Sequence, residues 1–176
     1  MRRPFLGPDY RSRWTTQKGA AHYRTPETGA GVFGLNWANT LTFHFDQTVP
    51  TNDGTLKIKR AGTESGSQAY PKYKSVAIGT WTLGQFTASL TGRYISAVHE
   101  AGGEMPGNKL GRGLYGGVQL LWNTKLSGRD FSFAVGVNNL AGTNPPACYV
   151  CQLNNYDPTT YDLPGQFFYV RAGVKI

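Results

Sequence analysis

The sequence predicts an all-β protein: an antiparallel up-and-down segment of about six strands, part of a larger transmembrane β-barrel. Three observations predict it. Apolar and polar residues alternate strictly over strand-length runs. The polar parity of those runs is Thr, Ser, Gly, Asn, Gln and Tyr instead of the Lys and Glu of a solvated face. The connections between runs alternate long and short, as barrel loops and turns do.

The first run, FGLNWANTLTFHF from Phe33 to Phe45, puts Phe33, Leu35, Trp37, Leu41, Phe43 and Phe45 on one parity and Asn36, Thr40, Thr42 and His44 on the other. A long link, Gln47 to Pro71, leads to KYKSVAIGTWTL at Lys72. A tight turn at Gly84 returns the chain through QFTASLTGRYISAV, where Phe86, Ala88, Leu90 and Tyr94 oppose Thr87, Ser89, Thr91 and Arg93. A second long link, His99 to Arg112, precedes GLYGGVQLLWNT, with Leu114, Val118, Leu120 and Trp122 against Tyr115, Gln119 and Asn123. A turn at Gly128 gives FSFAVGVNNL, with Phe131, Phe133, Val135 and Val137 apolar and Asn138 on the polar parity. The third long link, Ala141 to Gly165, ends at FYVRAGVKI, where Phe168, Val170, Ala172, Val174 and Ile176 oppose Tyr169, Arg171, Gly173 and Lys175.

A sandwich would bury the apolar parity and a barrel would turn it to lipid, so one strand cannot choose between them. Polar-parity composition and link alternation favour the barrel. Phe131, Phe133, Val135, Val137, Phe168, Val170, Val174 and Ile176 are then expected to face lipid, and Arg93, Gln119, Asn138, Tyr169 and Arg171 to line the lumen. Aromatics near strand ends (Phe43, Phe45, Tyr94, Trp122, Phe131 and Phe168) stand where interface girdles belong. A mean hydropathy of -0.39, with no run near the ~20 apolar residues of a membrane helix, excludes a helical membrane protein.

The formal charge of +8 does not make a nucleic-acid surface. Arg2, Arg3, Arg11, Arg13, Lys18 and Arg24 crowd the first thirty residues, and the other basic residues are scattered over turns, strand ends and loops. Residues 1–30 are expected to be a poorly ordered basic segment, with AAHYRT (Ala20 to Thr25) the one weak strand candidate, and 31–176 to hold the strands. MRRPFLGPDYRSRW has the charges of a signal peptide without an apolar stretch behind them, so no export signal is expected.

The ordered set YPKYKSVAIGTWTLGQFTASLTGRYI (Tyr70 to Ile95), FSFAVGVNNLAGTNPP (Phe131 to Pro146) and YDLPGQFFYVRAGVKI (Tyr161 to Ile176) resembles the C-terminal end of a TonB-dependent outer-membrane receptor. The resemblance runs from about Gly31 to Ile176. It implies a Gram-negative outer-membrane location, and nutrient import, such as siderophore uptake, by the intact receptor. Its implied partners are outer-membrane lipid, the remaining barrel strands and a plug, with TonB engaged only through that plug. Two positions depart from the family pattern: Gln166 stands where Arg is usual, and Ile176 where an aromatic usually ends the chain. The plug and the TonB-engaging segment are not recognisable, and the family's barrel has about twenty-two strands. The chain is therefore expected to be a fragment. An autonomous small barrel or adhesin, and a soluble sandwich lectin, remain alternatives.

Candidate chemical sites reduce to bland roles. CYVC, with Cys148 and Cys151, is expected to form a disulfide in a loop facing an oxidising exterior, since no second pair or nearby His completes a zinc site. His22, His44 and His99 lack ligand spacing, and His44 is expected to line the lumen. Asp157 and Asp162 flank PTTY and suit a turn. Asn138 and Asn139 are expected to close their strand. Arg93 and Arg171, on lumen parities, offer contact with an anionic substrate as one reading, and pairing with barrel or plug carboxylates is the expected role. No catalytic set, cofactor or metal is expected.

Overall fold

The computed structural model describes residues 11–102, 107–152, 154–162 and 165–175. Its strands are β1 (Arg11–Arg24), β2 (Val32–Thr51), β3 (Gly54–Lys59), β4 (Thr63–Glu64), β5 (Tyr73–Leu83), β6 (Phe86–Ile95), β7 (Val98–Glu100), β8 (Lys109–Leu110), β9 (Gly113–Leu126), β10 (Arg129–Asn138) and β11 (Phe167–Lys175). The described residues contain no helix. The large sheet runs β1-β2-β5-β6-β9-β10-β11, with β3 folded back on the far end of β2. Every neighbour along that path is antiparallel, so the fold is an all-β up-and-down sheet.

Connections follow from local chemistry. Leu83–Phe86 turns through Gly84 at φ 55, and Leu126–Arg129 through Ser127 and Gly128 at φ 52 and 78, the left-handed conformation that tight hairpins require. These two turns and the 25–31 link lie at one end of the sheet. The three long links lie at the other, where β4, β7 and β8 pair into a small separate sheet.

Residues 1–30 were expected to lack regular structure, and this is corrected for Arg11–Arg24. That segment pairs with β2 over its full length, from Arg11 opposite Thr48 to Arg24 opposite Gly34. The main path thus holds seven long strands instead of about six, and β2 is not an edge. Tyr23, Ala21, Gly19 and Gln17 form the outward parity of β1, too weakly apolar to announce a strand. Residues 1–10 lie outside the described residues, as does Ile176.

A second correction concerns β2. Between Thr15 and Thr16 the register shifts: Thr42 opposes Thr16 and His44 opposes Thr15, leaving Phe43 as the extra residue of a bulge. Beyond a bulge the parity reverses. Phe45 turns to the polar face, buried at 5% exposure between Trp14, stacked at 4.5 Å, and Tyr70, edge-on at 4.8 Å. His44, expected on the lumen parity, shifts to the opposite side. Uninterrupted alternation through Phe45 was the wrong inference because a bulge has no period of its own.

The buried core does not lie against the sheet's apolar face. It gathers Ala69, Val98, Leu110, Cys148, Cys151 and Tyr161 from the three long links, together with Ile95 and Tyr115 from strand ends. These links form a cap on the polar side of the sheet.

Candidate functional site

Register assigns each side chain to a face. On the apolar face, Leu35, Gly79, Leu90, Val118, Val137 and Phe168 follow one another across neighbouring strands. The expected lipid-facing set shares this face: Phe133, Val135, Phe168, Val170 and Val174 are 41%, 49%, 71%, 78% and 50% exposed, and Phe131 and Val137 are half-buried. Leu35, Leu90, Leu114 and Leu120 are exposed beside them. A contiguous exposed apolar face running across neighbouring strands is the kind of surface that marks a membrane or partner contact.

Aromatics band the two ends of this face. Phe33, Trp81, Phe86, Trp122 and Phe131 stand toward the short turns, and Tyr73, Tyr94 and Phe168 toward the cap. From Phe86 to Tyr94 the strand advances about 26 Å. The indoles near the turns are satisfied there: Trp81 Nε1 donates to Ala30 O at 2.8 Å and Trp122 Nε1 to Gln85 Oε1 at 3.0 Å. An apolar ring with its N–H turned to a polar turn is the arrangement an amphipathic boundary favours.

The polar face carries the other expected set. Arg93 ion-pairs through Nη2 with Asp162 Oδ2 at 2.5 Å and lies over the Tyr115 ring, 4.8 Å from its centroid. Asp162 is thus a carboxylate partner of Arg93 as well as a turn residue. Tyr169 donates its hydroxyl proton to Gln119 Oε1 at 2.9 Å and covers Gly136, its direct cross-strand neighbour. Arg171 is exposed on β11, opposite Ala134. Asn138 ends β10; Asn139, at φ 50, accepts the Thr143 N–H and donates to Thr143 O, starting the long link. Lys18, Arg24, Lys74, Arg93 and Arg171 make this face cationic.

The cap holds a group of carboxyls that no short motif encodes. Glu64 and Asp157 are fully buried and Glu100 is 3% exposed. Asp157 Oδ2 accepts the Ala69 N–H at 2.9 Å, while Oδ1 accepts the N–H and hydroxyl of Thr159 at 2.8 and 2.6 Å. Beyond forming its own turn, Asp157 therefore ties two long links together. Glu100 Oε1 accepts the Tyr149 N–H at 2.6 Å and an Asn108 amide proton at 3.2 Å. Burial, then the Asp157 charge and its hydrogen bond, raise Glu64 to about 7. Burial would raise Asp157 too, but hydrogen bonds from Thr159, Thr160 and Ala69 outweigh it and hold that carboxyl below its usual value. Burial also pushes the Tyr161 phenol up.

Cys148 and Cys151 form a disulfide, with Cα atoms 5.4 Å apart, inside this core. Glu64 Oε1 lies 3.7 Å from Cys151 Sγ. A disulfide sulfur has no proton to donate, so any proton in that contact comes from a neutral Glu64 carboxyl. Glu64 and the two sulfurs fall within 4.8 Å of one another, a metal-ligand-like grouping, but with the disulfide closed neither sulfur is a thiolate. Sequence reasoning missed Glu64, Glu100 and Asp157 as a group, because they come from three links and only folding brings them together.

The arrangement offers two surfaces of opposite character, one hydrocarbon and one cationic and hydroxyl-rich, beneath a cross-linked cap. No family model, curated protein or solved structure matches the chain.

Proposed function

We propose that this chain is a wall segment of an outer-membrane β-barrel. On the sequence resemblance, the reading is that it corresponds to the C-terminal strands of a TonB-dependent receptor, a family that imports a scarce nutrient such as a ferric siderophore. The observation that carries the reading is the uncovered apolar face: the six paired strands from β2 to β11 along the main path present leucines, valines and aromatics outward while the core forms on the other side, around the loops. In water such a face costs about 25 cal/mol per Å² of apolar surface left exposed, and a bilayer removes that cost. The aromatic bands and the segregation of short turns from long links support the same reading. The apolar parity then meets lipid, the cap lies on the outer side and the polar face turns to the lumen. The wall's role is structural, enclosing the path that substrate takes, and substrate choice belongs to the loops and plug.

Insertion into outer-membrane lipid vesicles tests it. Val135→Arg should cost about 2–4 kcal/mol near the midplane, and Thr91→Arg, on the polar face, under 1 kcal/mol. Equal cost at the two positions would reject the membrane reading and restore the soluble sandwich.

A further inference from the structure

The small sheet of the cap sets two carboxyls side by side. β4 and β7 pair in parallel with Glu64 opposite Glu100, so both side chains leave the same face, and both are buried. Like charges directly opposite each other work against pairing. Neither carboxyl is in an ion pair among the described residues. Glu64 Oε2 and Glu100 Oε2 are buried and receive no hydrogen bond. Asp157 does not supply one, because it is itself an acceptor, bonded to Ala69 and Thr159.

The CYVC loop lies against these carboxyls. Glu100 Oε1 accepts the N–H of Tyr149, which stands between the two cysteines. One Glu64 oxygen and the two sulfurs lie within 4.8 Å of one another, and all three residues are buried. Two sulfurs on a C-x-x-C loop and a carboxylate oxygen make a three-donor set of the kind zinc accepts, and the second Glu64 oxygen has no other use. Only the bridge keeps the sulfurs from acting as ligands, since a thiolate is needed.

We propose that reduction of the Cys148–Cys151 disulfide turns this corner of the cap into a binding site for a zinc-class divalent cation, held by both cysteine thiolates and the Glu64 carboxylate. The reductant is a dithiol. It is oxidised to its own disulfide, while the bridge takes up two electrons and two protons to give two thiols. The cation then displaces those two protons to solvent, with a third from Glu64 where that carboxyl is neutral, and forms two metal–sulfur bonds and one metal–oxygen bond. Bridge and cation are alternative occupants of the same sulfurs, so the cation favours the reduced cap by mass action. A hard cation such as calcium would want oxygens throughout, which this donor set does not give. The site is confined to the cap, so it does not depend on which way the apolar face of the large sheet turns.

Cobalt(II) is the probe, because it enters zinc sites and reports thiolate ligation by its absorption. The full-length protein in detergent micelles is reduced with a resin-bound dithiol, separated from the resin without air, and titrated beside the oxidised protein. The expected result is sulfur-to-cobalt charge transfer with the strong visible bands of tetrahedral cobalt, in the reduced protein alone, saturating at about one equivalent and bleached by zinc. Glu64→Gln, which keeps the size of the side chain, should weaken cobalt binding at least about tenfold. Absence of the charge-transfer bands from the reduced wild-type protein would overturn the inference without any variant. The same bands in the oxidised protein, or equal affinity in Glu64→Gln, would overturn it too. Hydrogen exchange in the link between β10 and β11 distinguishes a missing site from a loosened cap. Zinc should restore the protection that reduction removes, and a reduced link that zinc leaves unprotected would count against the site.

Discussion

Trp37 donates its indole proton to the Ser75 hydroxyl at 2.8 Å across the β2–β5 seam, in the middle of the apolar face. Both residues point away from the cap, so the bond serves a donor that has only hydrocarbon around it in the membrane reading. Ser75→Ala should then destabilise the membrane-inserted protein by about 1–3 kcal/mol, because an unpaired donor remains. Trp37→Phe combined with Ser75→Ala removes donor and acceptor together and should be close to neutral relative to Trp37→Phe alone. Urea unfolding from lipid vesicles reads both, and additive losses would show that the bond carries no coupling.

Tyr169 fills the space above Gly136. A Cβ built on Gly136 would come within 2.5 Å of the Tyr169 ring and 2.8 Å of the Val118 carbonyl. Gly136→Ala should therefore displace the ring, break its bond to Gln119 and cost about 1–3 kcal/mol. Tyr169→Ala relieves the ring contact but not the carbonyl one, so the double variant should recover only part of the loss. Recovery in full would place all the strain in the side chain.

Glu64 makes the cap pH-sensitive. A carboxyl whose folded pKa is raised from 4.5 to about 7 contributes stability that is fully present below 4.5 and lost as pH rises toward 7. At 1.36 kcal/mol per unit the loss is of order 3 kcal/mol. Asp157 acts oppositely: its lowered pKa gives stability present above 3.8 and lost as pH falls through the folded value. Cap stability should thus peak near pH 4–5. Hydrogen exchange of the link amides would follow it, and Glu64→Gln should flatten the decline between pH 5 and 7. A decline unchanged in that variant would assign it to another group.

Sidedness can be read on intact cells carrying the chain within a complete barrel. Cys148 and Cys151 are buried at 0% and 5% exposure, so even after reduction they should label slowly with a membrane-impermeant thiol reagent. Tyr149, at 55%, lies between them. Tyr149→Cys should label rapidly and Arg129→Cys, beside the short turn, should not. The reverse pattern would invert the topology.

What the sequence alone determined was alternation and its interruptions. β5, β6, β9, β10 and β11 are legible because a two-residue period over nine or more residues has no other structural meaning, and glycine at a positive φ punctuates it. The Cys148–Cys151 bridge was legible from spacing and the want of other ligands. Tertiary structure decided the rest. β1 exists because the edge of β2 offers it backbone partners over its full length, a pairing its own mixed parity does not advertise. Phe45 changes face at a bulge, which depends on the partner strand as much as on the residues themselves. Glu64, Glu100 and Asp157 meet inside the cap because the three long links lie at the same end of the sheet. Burial and mutual charge, which raise one carboxyl while hydrogen bonds hold another down, act through distances that no local stretch of sequence contains.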